Sequence, residues 1–200
     1  MEIWSFRGKR ENIIGNVTRY KSRICAHGGM QEKGINYWET YAPVVQWMVN
    51  RIMLTLAVIK KLHTKSIDFV LAYAQVNLDL DIYGELPQEF NVGPESRRYV
   101  LNLQKNLYGL KQAGHNWSEK ISSKLGNLSI NPRKVGPCVS IGDDIIVLLY
   151  VEDCLIFLQK KDKINQLIKK LKKKEKLDLI DEGDLDKYLG VDIEQKKEDK

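Results

Sequence analysis

Residues 145–158, Ile-Ile-Val-Leu-Leu-Tyr-Val-Glu-Asp-Cys-Leu-Ile-Phe-Leu, set two carboxylates, Glu152 and Asp153, between two apolar runs. The stretch is too short for a bilayer span, which takes about 20 apolar residues, and it reads as two buried strands joined by a tight turn. Two like charges above an apolar hairpin repel one another, and a hard divalent cation is the usual remedy. A third acid, Asp68, interrupts the otherwise apolar run from Ile67 to Tyr73. An acid within a buried strand is costly unless it is paired or bound to metal. The competing reading makes Asp68 a helix N-cap. Asp68, Glu152 and Asp153 together offer a platform for two divalent ions. The chemistry that uses such a platform is phosphoryl transfer, with metals about 4 Å apart activating the attacking oxygen and stabilising the leaving one.

The elements that must position these acids can be read from periodicity. Residues 11–28 suggest a hairpin turning at Gly15-Asn16. On its returning strand Lys21 and Arg23 share a face, where they either contact phosphates or keep an edge soluble. Gly34 to Pro43 is an aromatic, turn-rich loop. Val49–Leu62 is expected to form a helix packing through Ile52, Met53, Leu56 and Ile59. Ile82 to Phe90 suggests an edge hairpin, and Tyr99-Val100-Leu101 starts a further strand. Trp117, Ile121 and Leu125 have the spacing of a helix docked on a sheet. Gly142-Asp143-Asp144 reads as a plain turn entering the Glu152-Asp153 hairpin. Ile164, Leu167, Ile168 and Leu171 fall at i, i+3, i+4 and i+7 of an amphipathic helix whose lysines form a solvated face. Leu185 to Ile193 suggests a last hairpin.

Composition sets the outer bounds. With 200 residues, 43% hydrophobic and 29% charged, the chain has the make-up of a globular domain. A net charge of +6 is compatible with a polyanionic partner. Cys25, Cys138 and Cys154 are odd in number and far apart, which points away from a disulfide framework or a zinc site. The N-terminal residues lack the apolar core of a signal peptide, so the expected location is intracellular, cytoplasmic or nuclear, with no membrane segment.

Six blocks carry more than composition does: Arg19-Tyr-Lys-Ser-Arg-Ile-Cys-Ala, Glu39-Thr-Tyr-Ala-Pro-Val-Val, Ile67-Asp-Phe-Val-Leu-Ala-Tyr, Leu107-Tyr-Gly-Leu-Lys-Gln-Ala, Leu148-Leu-Tyr-Val-Glu-Asp and Tyr188-Leu-Gly-Val. In this order they resemble the reverse transcriptase of copia-type retrotransposons over nearly the whole chain. The resemblance implies an α+β fold, a right-hand polymerase palm with partial fingers, its antiparallel sheet flanked by helices, and no thumb or RNase H part. It implies a reverse-transcriptase-like domain over 8–193, with a fingers-like part at 8–66, a palm at 67–193, and a charged tail at 194–200.

Carried over position by position, Asp68 matches the first metal-binding aspartate and Asp153 the second acid of the hairpin pair. Tyr73 matches the aromatic that closes the pocket against a ribose 2′-hydroxyl. Gln112 matches the glutamine beside the incoming nucleotide, Lys21 and Arg23 match basic finger positions for its triphosphate, and Tyr150 would lie under the primer end. The implied cofactor is Mg²⁺ or Mn²⁺, two ions in the active state. The implied partners are an RNA or DNA template with primer and deoxynucleoside triphosphates. The chain departs from the family's pattern at Glu152, which stands where the family has aspartate. It departs again at Val70 and His27, each in place of lysine, at Gln46 in place of arginine, and at Gly114-His115 in place of Pro-Arg. These departures imply a decayed copy with weak or absent polymerase activity. The alternative is a catalytically dead nucleic-acid-binding or vestigial module of a transposable element.

Overall fold

The computed structural model describes residues 2–11, 16–87, 93, 99–133 and 136–194, and for 2–11 and 16–19 the main chain alone. Among the described residues it is a mixed α/β structure of antiparallel sheets and three α-helices. The chain divides into two compact units, Met1–Tyr41 with Tyr73–Asn116, and Ala42–Ala72 with Trp117–Lys200.

In the first unit, strands β1 (Glu2–Glu11) and β2 (Asn16–Ala26) form an antiparallel hairpin. The expected turn at Gly15 lies outside the described residues, and the first strand starts well before the expected Ile13-Ile14 region. Strand β4 (Asn77–Glu85) pairs with β5 (Val100–Lys105), so Ile82 to Glu85 belong to a strand that closes on the Val100 strand, and the end of the expected 82–90 hairpin lies outside the described residues. Ile82, Leu110 and Ala113 form the small core of this unit. The end of β2 is pinned to the Leu107–Leu110 turn: the Ala26 amide donates to the Tyr108 carbonyl at 2.8 Å. Gly109 makes that approach possible. Its φ is +95, and a β-carbon there would lie 2.0 Å from the Ala26 oxygen.

The second unit is built on a six-stranded antiparallel sheet in the order β10-β3-β9-β8-β7-β6. Its strands are β3 (His63–Phe69), β6 (Asn131–Arg133), β7 (Gly136–Ile141), β8 (Ile145–Tyr150), β9 (Asp153–Leu158) and β10 (Leu179–Asp184). Strand β9 is the centre: every residue from Cys154 to Leu158 is buried, as a strand covered on both faces requires. One face carries Leu148, Leu155 and Phe157 into a core with Val45, Met53, Ala57, Cys138 and Tyr188. On β3 Phe69 meets Trp117 of helix α2 (Ala113–Gly126) edge to face, with centroids 5.2 Å apart. Trp117, Ile121 and Leu125 are all buried, as their spacing implies. Helix α3 (Lys161–Lys173) buries Ile164, Leu167, Ile168 and Leu171 and leaves its lysines to solvent, also as read from sequence. Gly142-Asp143-Asp144 is the plain turn between β7 and β8, and the Asp144 carboxylate is paired with Lys163. A last hairpin, β11 (Lys187–Tyr188) and β12 (Val191–Asp192), falls within the expected Leu185–Ile193.

Helix α1 (Trp47–Ile59) forms, but not on the expected stripe. Its buried residues are Asn50, Met53 and Ala57, while Ile52, Leu56 and Ile59 remain 52%, 37% and 66% exposed. Ten of its thirteen residues are apolar, so periodicity cannot choose a face, and contact with the sheet decides it. The chosen face brings a polar group inside. Asn50 is 1% exposed, and neither its amide nitrogen nor its oxygen has a hydrogen-bond partner among the described residues. The equally buried Glu175 is by contrast held by Asn127 and Lys124. An unsatisfied buried polar group costs about 1–3 kcal/mol. Asn50→Leu is therefore expected to stabilise the chain by roughly that amount, about 1–3 kcal/mol, read as a higher urea midpoint with an unchanged slope.

Candidate polymerase site

The two halves of the expected site lie in different units. In the second unit, β8 and β9 form the expected hairpin, and Tyr150 and Asp153 are its closing pair. The two-residue turn is strained: Val151 has φ 55, a left-handed conformation unusual for a β-branched residue. Both turn carbonyls are held. Trp117 Nε1 donates to the Val151 oxygen at 2.8 Å, and the Phe69 amide donates to the Glu152 oxygen at 2.9 Å. The second of these ties the turn to β3 one residue beyond Asp68.

Asp68 lies within β3, which decides against the N-cap reading. The β3–β9 register places Asp68 directly opposite Asp153, so the two carboxylates share a sheet face with β-carbons about 5 Å apart. The electrostatics follow. The Asp153 carboxyl is held above the ordinary carboxylate range, first by burial and then by the charges of Asp68 and Glu182. Glu152 is half-buried in the turn, and Tyr150 packs against the sheet core. Among the described residues no group of three or more His, Cys, Asp or Glu side chains is already gathered for an ion. Asp68 and Asp153 are nonetheless a fitting pair, because Mg²⁺ takes hard oxygen donors and is ordinarily held through one or two carboxylates while keeping several waters.

In the first unit, the Arg23 guanidinium lies over the Tyr108 ring, 5.3 Å from its centroid. The Tyr108 ring in turn packs on Tyr73 at 4.7 Å. The structure thus joins two of the sequence-derived residues, Arg23 and Tyr73, through a third that motif reading had not assigned a role. Gln112 is buried and fully engaged: it accepts from Gln31 Nε2 at 3.0 Å and donates to the Asn36 carbonyl at 3.1 Å. Lys21 is exposed, opposite Arg7 in the β1–β2 register.

The family model for reverse transcriptase (RNA-dependent DNA polymerase) matches residues 1–199. The chain belongs to that family. As a reverse transcriptase of the copia type it is 34% identical, over 95% of its length, to the retrovirus-related Pol polyprotein from transposon TNT 1-94 of Nicotiana tabacum. It is 29% identical over 96% to that from transposon RE1 of Arabidopsis thaliana, and 34% identical over 76% to that from transposon RE2 of the same plant. The chain spans 14%, 13% and 11% of the lengths of these relatives.

Motif reading assigned no role to Tyr108, Ser66, Glu182 or Tyr188, the last three of which line a cavity with Asp153. Tyr108 stood inside a matching block, and an aromatic beside a basic strand was the available signal. Ser66 and Glu182 carry no motif, and strand β10, which holds Glu182, has an apolar pattern only at its start. Among the described residues no helix is long and apolar enough to cross a membrane.

The raised Asp153 proton affinity has a measurable sign. An acid that is easier to protonate when folded stabilises the chain fully at pH values below the ordinary carboxylate range, and loses that contribution as pH rises through its own raised value. Asp153→Asn is thus expected to be more stable than the native chain at neutral pH in EDTA. The gain should shrink as pH falls through the raised Asp153 value and be gone below the ordinary carboxylate range, as measured by urea denaturation across pH.

Proposed function

We propose that this reverse-transcriptase domain adds deoxynucleotides to a primer end on an RNA or DNA template, with Asp68 and Asp153 as the ligands of Mg²⁺ or Mn²⁺. The observation that carries the reading is the cross-strand pairing of these two carboxylates, a fixed repulsion that a divalent cation relieves. When bound, the two ions supply an activated primer hydroxyl and charge stabilisation for the departing pyrophosphate. The chain's own residues do the rest. Tyr150, beside Asp153 in the hairpin, supports the primer end. Tyr73 excludes a 2′-hydroxyl by bulk, and Arg23, oriented by the Tyr108 ring, meets the triphosphate together with Lys21. Gln112 lines the nucleotide pocket and, through Gln31 and Asn36, keeps the loop around it in shape.

Glu152 lowers the rate. Its extra methylene displaces the carboxylate by about 1.5 Å relative to aspartate, and a misplacement near 1 Å costs on the order of 100-fold. That departure also sustains a second reading, a nucleic-acid-binding module without catalysis.

Primer extension on a polyribonucleotide template with Mg²⁺ or Mn²⁺ separates the two. The polymerase reading expects slow extension by the native chain, none by Asp68→Asn or Asp153→Asn, and a gain approaching 100-fold in Glu152→Asp. Retained template binding with no extension by either the native chain or Glu152→Asp sinks it in favour of the second reading.

A further inference from the structure

The acids of β10 and the β11–β12 hairpin fall into two sets. Asp181 is paired with Lys65 at 2.7 Å, Asp184 with Lys161 at 2.9 Å and Asp192 with Lys187 at 3.4 Å. Glu182 and Asp186 have no lysine or arginine partner among the described residues, and neither has Asp153. The unneutralised three are the ones that line a cavity of about 470 Å³, together with Ser66 and Tyr188. Lys187 also reaches its wall, but its ammonium is engaged with Asp192. Acids outside the cavity are matched one to one by lysines, and acids inside it are left for a cation from solution.

Two further observations point to that occupant. Tyr188 is 2% exposed and its hydroxyl has no partner among the described residues, although the residue forms part of the cavity wall. A hydrated ion carries the water that would satisfy such a hydroxyl. Glu182 is also built into place. The β10–β3 register runs Ile180 to Asp68 and Asp181 to Ile67, then skips to Gly183 opposite Ser66. Glu182 is therefore the extra residue of a bulge, a device that re-aims a side chain. The buried Ser66 hydroxyl, two residues before Asp68 on the same strand, donates to Glu182 Oε2 at 2.7 Å.

We propose that Glu182 is an additional ligand of the divalent-cation site at Asp153, reaching the ion from the bulge of β10 while Ser66 holds its second oxygen. The proposal rests on the polymerase reading for the location of the ion and goes beyond it in the ligand set. It gives the chain a further carboxylate beside Asp153, which follows Glu152 in the hairpin turn.

The test is Mn²⁺ binding to the full chain, followed by the electron-paramagnetic-resonance signal of free Mn²⁺, with thermal unfolding in EDTA to check folding. Glu182→Gln keeps an oxygen for Ser66 and is expected to weaken Mn²⁺ about 10-fold. Ser66→Ala, which keeps the charge but frees it from its anchor, should weaken it less, and Asp181→Asn, outside the cavity, should leave it unchanged. Native affinity in both Glu182→Gln and Ser66→Ala overturns the proposal, as does a native chain that binds no Mn²⁺ at millimolar concentration. Extension that requires Asp68 and Asp153 while Glu182→Gln binds Mn²⁺ normally would remove Glu182 and leave the polymerase reading standing. Weakened binding in Glu182→Gln without any extension would do the reverse.

Discussion

Repulsion between Asp68 and Asp153 is the constraint from which much of the second unit follows. Two carboxylates opposite one another on adjoining antiparallel strands would separate in an isolated hairpin. Here they cannot, because β9, buried from Cys154 to Leu158, is held between β3 and β8. The hydrophobic burial of Cys154 to Leu158 outweighs the electrostatic cost, which falls at the strand ends, where Asp153 is drawn toward its protonated form. Stability is invested in the sheet, and the charge sits at the ends of its strands.

That division explains which features were legible in the sequence. Helix α3 and the Trp117–Leu125 face of α2 were readable because each repeats with one clear apolar period, and the β8–β9 hairpin because two apolar runs flank one acidic turn. The acids Asp68 and Asp153 were readable because each interrupts an apolar run. Helix α1 was readable as a helix but not as a face, since apolar residues surround it and only contact with the Leu155 and Phe157 side of the sheet selects Asn50, Met53 and Ala57. Strand β10 was missed for the opposite reason. Leu-Ile-Asp-Glu-Gly-Asp shows an edge strand's polarity, and its place is set by pairing with β3 rather than by its own pattern.

The residues of the first unit that motif matching singled out illustrate a different limit. Motif matching placed Arg23, Tyr73 and Gln112 in one functional class, yet their physical situations differ. Arg23 and Tyr73 are linked through the Tyr108 ring, whereas Gln112 has its amide committed to Gln31 and Asn36. Side-chain roles that depend on which hydrogen bonds are already taken are not encoded in the spacing of a motif. They emerge only when the close approach allowed by Gly109 brings Ala26 onto the Tyr108 turn.

The turn at Val151-Glu152 carries a consequence for inheritance. Its shape is enforced through two main-chain carbonyls, one gripped by the Trp117 indole and the other by the Phe69 amide, and neither grip depends on which side chain occupies position 152. A substitution at that position leaves both main-chain bonds in place. The path of the turn can thus be inherited while the side chain at position 152 changes, because what fixes it is written in the indole at position 117 and the main chain at position 69.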